Sequence, residues 1–428
     1  MDFLKDLHDR GILNAITNEE KAKKFFIDKK AAAYIGFDPT AASLHLGNYL
    51  LITIIKRLKQ FGIDCFALVG GATGMIGDPS GKTKERQLLT IDKVNDNKQL
   101  IINQLIKLGV DSKKIIDNYD FYKEMNFLTF LRDVGKYVNI NYLLEKEIIK
   151  TRLESGLSFT EFSYNLIQSY DFWKLYNYHN IHLQIGGSDQ WGNITAGIEL
   201  IRKKAIESID SDNAVGLTVN LLTNSEGKKF GKSEQGAIFL DKNLTSPYKM
   251  YQYLINQPDS EVFKLIKALT FLSIDEINKL EQEHFSNPSK KYAQLALAKE
   301  VVKDIHGHIE LDKAMYISEK LFSGDIKDID INDLKTISND FENSFEADQD
   351  KYNILDLMVL SNIVKSKTQA RELIKSGAIT VNGNKISDEF FIIEKKKSFN
   401  KEFCIIKKGK KLYTIIKWKN TIEFTEYW

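Results

Sequence analysis

Ala31–Gly70 reads AAAYIGFDPTAASLHLGNYLLITIIKRLKQFGIDCFALVG, and this stretch decides the fold. Ala31–Phe37 and Asp64–Val69 are short apolar runs of the kind that form buried strands. Between them LHLGNYLLITIIKRLKQ carries apolar residues at helical spacing, with Ser43 as the expected N-cap and Gly62 as the stop. Further along, Ile181–Ile185 is another strand, followed by the glycine-containing turn GGSDQWGN and the helix ITAGIELIRKK. Strand–helix–strand order with buried strands predicts an α/β parallel sheet covered by helices on both faces. Ligands on such sheets bind outside the carboxyl ends of the strands, among the βα loops.

Working outward, the alternation runs from Ala31 to about Phe239. From about Ser246 to Phe322 only helical periodicity remains; after the cap pair Asn287–Pro288, Tyr292, Leu295, Ala298, Val302 and Ile305 recur on one face. Residues 323–352 read as an acidic, weakly structured linker. Beyond it, Ser366 and Gln369 have capping-box spacing for a helix ending at Gly377, and Asn382–Gly383 signals a hairpin. The expected domains are therefore 1–240, 241–322, the linker 323–352, and 353–428.

A length of 428 residues suits two or three domains at about 150 residues each. With 43% hydrophobic and 28% charged residues the composition is that of an ordinary globular protein. The apolar run Tyr49–Ile55 stops at Lys56, too short to cross a bilayer, and the opening MDFLKDLHDRG lacks the order of an export signal. A cytoplasmic location without membrane contact is the expectation. Cys65 and Cys404 allow at most one bridge and no multi-cysteine zinc site.

The net charge of +2 hides an uneven distribution. From Asn353 to Trp428 there are 15 lysines plus arginines against 8 carboxylates, whereas Asp325–Asp350 holds 9 carboxylates and 2 lysines. Such a change of sign marks a boundary near residue 350 and a basic terminal module. A lysine-rich solvated face would give the same count. The excess is almost all lysine, with Arg371 the only arginine, which suits phosphate contact more than the reading of base edges.

Several familiar motifs fail. Gly70–Lys82, GGATGMIGDPSGK, has three residues between Gly77 and Gly81 where a Walker loop needs four. Val69 stands where a dinucleotide-binding loop needs its first glycine, and no G-x-S-x-G elbow is present. His306 and His308 have no third ligand near them in sequence, so no metal site is expected.

Two motifs hold. His45-Leu46-Gly47-Asn48 opens the helix after the first strand of the quoted stretch; a glycine there lets a flat ring approach, and helix N-termini favour phosphate. Lys229-Phe230-Gly231-Lys232-Ser233 is a short basic loop with a glycine hinge. Each is weak alone, since a histidine in an apolar helix is commonly a core residue and a lysine cluster is commonly solvated. Together, in this order, they resemble the HIGH and KMSKS signatures of class I aminoacyl-tRNA synthetases. YIGFDPTAASLHLGN, GDPSGK, FTEFSYNLIQSYDF and LQIGGSDQWGNI resemble the bacterial-type tyrosyl-tRNA synthetase family in particular, and SKTQARELIKSGAITVNG is similar to the alpha-L RNA-binding motif.

That resemblance covers nearly the whole chain. It implies a Rossmann-like catalytic domain with a connecting insertion at about 120–160, an α-helical domain and a small α+β RNA-binding domain. It also implies ATP with Mg²⁺ as substrate, no tightly held cofactor, tRNA(Tyr) as partner and a homodimer. Tyrosine's carboxylate would attack the α-phosphate of ATP, and the terminal ribose of tRNA would then take the aminoacyl group. By family position Thr40, His45, Asn48, Lys229, Lys232 and Ser233 would meet the triphosphate, with Lys82 and Arg86 on a neighbouring loop. Tyr34 and Asp171 would hold the phenol, and Asp78, Tyr164 and Gln168 the ammonium, with Gln184 beside them. Tyr164, Gln168 and Asp171 are spaced i, i+4, i+7, on one helical face, which without the other motifs would read as a polar surface stripe. Gly36, Asp38, Gly47, Gly187, Asp189 and Gln190 would meet adenosine and the α-phosphate. Lys365, Lys367, Arg371, Lys407 and Lys408 would meet RNA phosphates.

Three departures stand out. Asn48 replaces the second histidine of the first signature, Phe230 replaces the methionine of the second, and Ile35 sits where some relatives carry a polar residue. Alternatives are a tryptophan-specific sister enzyme, another nucleotidyltransferase with a HIGH-like motif, and a non-catalytic RNA-binding derivative. The first lacks the phenol-binding pair, the second leaves KFGKS unexplained, and the third tends to lose its signature residues.

Overall fold

A computed structural model describes residues 2–80, 87–140, 150, 156–205, 213–223, 227, 229–233, 236–323, 326, 329–338, 340–341, 343–409 and 412–419, excluding the side chains of Lys232 and Ser233. The chain divides into two compact units, Met1–Asp241 with Ile255–Ile305, and Lys242–Leu254 with His306–Trp428.

The first unit is built on six strands: β1 (Leu13–Ile16), β2 (Ala32–Phe37), β3 (Cys65–Val69), β4 (Ile115–Asp117), β5 (Ile181–Gly187) and β6 (Val215–Val219). Their order is β1-β6-β5-β2-β3-β4, all parallel except β1, which pairs antiparallel with β6 at one edge. Ala33, Ile35, Leu183, Val215 and Leu217 are fully buried or nearly so, as the central strands of a sheet covered on both faces must be. Chain order reverses between β2 and β5, and a crevice opens at such a switch point beyond the strand ends.

The helix after β2 spans Leu46–Gln60. Its N-cap is His45, not Ser43 as expected, and the His45 N–H donates to Asn48 Oδ1 at 3.1 Å. Ser43 turns elsewhere, donating to the Leu44 carbonyl and accepting from the Asp241 N–H. Hydroxyl chemistry alone therefore misplaced the cap by two residues.

The helical segment expected as one domain is split. Helices Asp259–Leu269, Ile274–Ser286 and Tyr292–His306 lie with the six-stranded sheet, where the Thr53 hydroxyl reaches the Ala268 carbonyl (3.1 Å) and the Tyr49 hydroxyl reaches Asp304 (2.6 Å). Helices Pro247–Ile255 and His308–Ser323 go almost wholly to the second unit. Helical periodicity gives the width of an apolar face but not the partner it meets.

In the second unit five strands form one sheet: Asn384–Lys385, Ile379–Val381, Phe403–Lys408, Leu412–Trp418 and Asn343–Ala347, in that order. The hairpin at Asn382–Gly383 forms, with both residues at positive φ (48° and 80°), as a two-residue turn of this kind requires. The acidic linker is not weakly structured over its described residues. It contributes helix Ile331–Ile337 and strand Asn343–Ala347, which pairs parallel with Leu412–Trp418. Ile326, Ile329, Leu334 and Ile337 from the same stretch pack against Ile317, Leu321, Ile405 and Ile415. Among the described residues no helix is long and apolar enough to cross a membrane.

Candidate active site

A hollow of about 300 Å³ lies at the carboxyl ends of β2 and β5. Tyr34 and Gly36 alternate along β2 and so share its face, and Asp38 follows in the same alternation just beyond the strand's end. At about 3.3 Å per residue, Tyr34 sits roughly 13 Å deeper along the strand than Asp38. Fifteen of the twenty residues expected to meet tyrosine or ATP line this one space: Tyr34, Gly36, Asp38, His45, Gly47, Asn48, Asp78, Tyr164, Gln168, Asp171, Gln184, Gly187, Asp189, Gln190 and Lys229. Thr40 is exposed and does not line it. Lys82 and Arg86 fall outside the described residues, as do the side chains of Lys232 and Ser233.

The deep end is a buried polar network. Asp171, on helix Phe159–His179, accepts from the Tyr122 hydroxyl (2.6 Å) and from Asn118 Nδ2 (2.9 Å). Asn118 Nδ2 also donates to Thr73 Oγ1 (3.1 Å), and the Thr73 hydroxyl donates to Asp38 Oδ1 (2.6 Å). Asp38 Oδ2 accepts from the Tyr164 hydroxyl at 2.7 Å. Burial lifts the Asp171 carboxyl to about 7, against the pull of its bonds from Tyr122 and Asn118. Burial, and then the nearby Asp171 charge, push the Tyr34 hydroxyl well above its ordinary range. Among the described residues the Tyr34 hydroxyl and Gln184 Oε1 are buried without a hydrogen-bond partner.

Beside this network Asp78 accepts from Gln190 Nε2 (2.8 Å) and from the Ser80 N–H (2.9 Å). Asn193 braces Gln190 and Ser80 at 3.1 and 3.2 Å. This side of the hollow therefore holds carboxyl groups at Asp38, Asp78 and Asp171, a field suited to a cation.

The outer end belongs to the two signature motifs. A Cβ added at Gly231 would lie 2.7 Å from the Gly47 nitrogen, so the loop backbone rests directly on the helix N-terminus. Gly231 has φ +84°, a conformation L side chains rarely adopt. The Ile238 N–H donates to the Gly231 carbonyl and the Leu46 N–H to the Ile238 carbonyl, fastening loop to helix. A Cβ at Gly36 would meet nothing within 4 Å, which leaves room for a ring over β2. Asp189 pairs with Lys229 at 3.3 Å; burial raises its carboxyl and Lys229 partly offsets this. Asn48 Oδ1 is occupied by the His45 N–H, so its amide NH₂ is the part left to donate.

Sequence reasoning missed Asn118, Thr73 and Tyr122. All three reach Asp171 or Asp38 from β4 and the β3 turn, a tertiary arrangement with no periodic signal.

In the second unit Lys365, Lys367 and Arg371 are exposed around the start of helix Lys367–Lys375. Lys367 pairs with Asp356 and Arg371 with Glu389 (2.7 Å). Lys407 and Lys408 correct the expectation: Lys407 is buried and donates to the carbonyls of Leu321 and Phe322, and Lys408 donates to that of Ile363. Both ammonium groups are committed to backbone carbonyls rather than turned to solvent, because their strand alternates into the sheet's own packing.

A doubly wound sheet with a charged hollow at its switch point, closed by a basic loop on a helix N-terminus, defines a nucleotide-handling α/β enzyme. The family model for class I tRNA synthetases of the tryptophan and tyrosine group matches residues 28–323, and the tyrosine–tRNA ligase SYY-like C-terminal domain model matches 333–416. A tyrosine–tRNA ligase of Ureaplasma urealyticum is 53% identical over 97% of this chain and 99% of its own length. One from Geobacillus kaustophilus is 45% identical over 98% of this chain and its whole length. The crystal structure of a C-terminally truncated Aspergillus nidulans mitochondrial tyrosyl-tRNA synthetase aligns with TM-score 0.67 at 31% identity, covering 75% of this chain and 94% of that one. The chain belongs to the class I tRNA synthetase family of the tryptophan and tyrosine group.

Proposed function

We propose that this chain is an ATP-dependent ligase that attaches tyrosine to tRNA(Tyr) through a tyrosyl-adenylate. The observation that carries the choice of tyrosine is the deep end of the hollow. There the Tyr34 hydroxyl, buried and without a hydrogen-bond partner among the described residues, faces a doubly hydrogen-bonded carboxylate on Asp171. A phenol satisfies both at once, accepting from Tyr34 and donating to Asp171. Phenylalanine would leave both groups buried and unpaired, a penalty on the order of 10⁴-fold or more. Such a margin makes a second, editing site unnecessary.

With the phenol held, Asp78, Tyr164 and Gln168 receive the ammonium, and the substrate carboxylate points toward the α-phosphorus of ATP. That oxygen attacks in line, the bond to the bridging oxygen breaks, and pyrophosphate leaves; Mg²⁺ brought in with ATP would help neutralise the charge on the phosphates. Neither this step nor ribose attack on the activated carbonyl needs a side-chain nucleophile; both draw on positioning and on stabilising charge as it shifts to the leaving group. His45, Asn48, Lys229 and Lys232 are the groups proposed for the phosphates, Asp189 for the ribose, and Gly36 and Gly47 for the adenosine approach. Lys365, Lys367 and Arg371 are proposed to contact the RNA.

A homodimer in the cytoplasm is the form proposed. Phe127 and Leu128, 62% and 75% exposed on a helix of the 120–160 insertion, support an apolar subunit contact there. Tyrosine-dependent exchange of pyrophosphate into ATP tests the function. Exchange with tyrosine is expected to exceed that with phenylalanine by about 10⁴-fold in kcat/KM; no exchange with tyrosine refutes the reading.

A further inference from the structure

We propose that Tyr122 is a specificity-determining positioning residue, whose hydroxyl aims Asp171 at the substrate phenol and keeps it an acceptor; this rests on the tyrosine reading above. Tyr122 follows the one-turn helix Asn118–Phe121 after β4, and its ring packs against Tyr170 and Phe130 at centroid distances of 5.7 and 6.4 Å. The phenolic oxygen lies 2.6 Å from Asp171 Oδ1 and 2.8 Å from the Ile167 carbonyl. Both neighbours are acceptors, and Tyr122 brings one proton. With Asp171 ionised the proton goes to the nearer, charged oxygen, since charge-assisted bonds are the stronger. With Asp171 protonated the order reverses: the carboxyl donates to the Tyr122 oxygen, and Tyr122 donates to Ile167.

The two states present different faces to a ligand. Ionised Asp171 spends one lone pair on Tyr122 and one on Asn118, leaving others for a phenol O–H. Protonated Asp171 has lost a charge and holds its one proton on the Tyr122 side, so it accepts from the phenol more weakly. The groups facing Asp171 are Tyr34 from β2, Asp38 beyond its end, Asp117 and Tyr122 from the β4 side, and Tyr164 and Tyr170 from its own helix. Asp38 and Asp117 raise its carboxyl, as does burial. The bonds from Tyr122 and Asn118 oppose them. Removing the Tyr122 hydroxyl thus moves Asp171 toward its protonated form at neutral pH while leaving the ring contacts in place.

The test is Tyr122→Phe in the full-length protein, with pyrophosphate exchange measured on tyrosine and on phenylalanine from pH 6 to 9. A drop of roughly ten-fold or more in tyrosine kcat/KM at pH 7 is expected. Phenylalanine should change by no more than about three-fold, and the pH midpoint of tyrosine kcat/KM should move upward, with activity recovering at the alkaline end. Equal losses for both amino acids, or an unmoved midpoint, would overturn the proposal. Should Tyr122→Phe not fold, a fluorinated tyrosine installed at position 122 replaces it. Its more acidic hydroxyl should move the midpoint downward, and no movement would again overturn the role. An unaltered protein that failed to exchange with tyrosine would sink the ligase reading instead, whereas normal exchange with an unshifted variant sinks only Tyr122.

Discussion

Tyr34→Phe should leave the free protein's stability nearly unchanged and make the enzyme worse. The ring packs with Phe172 at 5.4 Å, and the hydroxyl lies near the Asp171 carboxylate in the lining of the hollow, with no protein hydrogen-bond partner among the described residues. A hollow of about 300 Å³ has room for water, which can solvate the hydroxyl before substrate arrives, and the change to phenylalanine opens no cavity and keeps the ring contact. The stability change should therefore stay within about 1 kcal/mol, or about 2 °C in melting temperature for a unit this size. Binding is what suffers. The bond from Tyr34 to the substrate phenol is worth about 0.5–1.5 kcal/mol, a roughly 2- to 13-fold loss in tyrosine kcat/KM. Discrimination against phenylalanine should shrink by a similar factor, because one of the two groups that penalise it is gone. Calorimetry without ligands and exchange kinetics with both amino acids measure the two halves separately. A strongly destabilised variant, or unchanged tyrosine kinetics, would refute the reasoning that the Tyr34 hydroxyl serves the substrate and not the fold.

Other outcomes are equally definite. Gly231→Ala places a methyl 2.7 Å from the Gly47 nitrogen at φ +84°, so the loop must lift from the helix; kcat for adenylate formation should fall at least ten-fold in single-turnover measurements. Lys232→Ala should slow adenylate formation while tyrosine affinity, read by fluorescence titration, changes little. Removing residues 353–428 should spare exchange but abolish most aminoacylation. It should also raise binding of a hydrophobic dye, since Ile317, Leu321, Leu334 and Ile337 lose Ile405 and Ile415. Finally, burial lifts the Asp171 carboxyl from about 3.8 to about 7, so the folded chain holds more protons between those values. Its contribution makes the unliganded protein less stable as pH rises from about 4 to 7. Asp171→Asn should flatten that part of the stability profile, as followed by denaturant melts.

The central sheet was legible because its strands are buried on both faces, so Ala31–Phe37 and Asp64–Val69 stand out as unbroken apolar runs. The edge strands were not. Leu13–Ile16 and Asn343–Ala347 carry mixed, partly exposed residues, and the second lies inside an acidic run whose charge suggested a tether. Tyr164, Gln168 and Asp171 could be grouped from their spacing alone, because a single helix fixes their common face. Asn118 and Tyr122 lie about fifty residues from Asp171, and only the sheet brings them to it. Lys407 and Lys408 misled for a related reason. Lysine count locates a basic module, but strand alternation and neighbouring carbonyls decide which ammonium groups stay in solvent.

The placement of Asn343–Ala347 bears on how the chain is made. It is the first strand of its sheet in sequence, yet its partner is the last, Leu412–Trp418. Roughly 65 residues separate the two, so on a ribosome adding about 5–20 residues per second the strand waits some 3–13 s with its edge unpaired. An uncovered edge invites pairing with other chains, and dense like charge repels them. The 9 carboxylates of Asp325–Asp350 surround that edge in sequence. Charge of one sign on both sides of an edge strand is the kind of sequence that disfavours such pairing while the final strand is still to come.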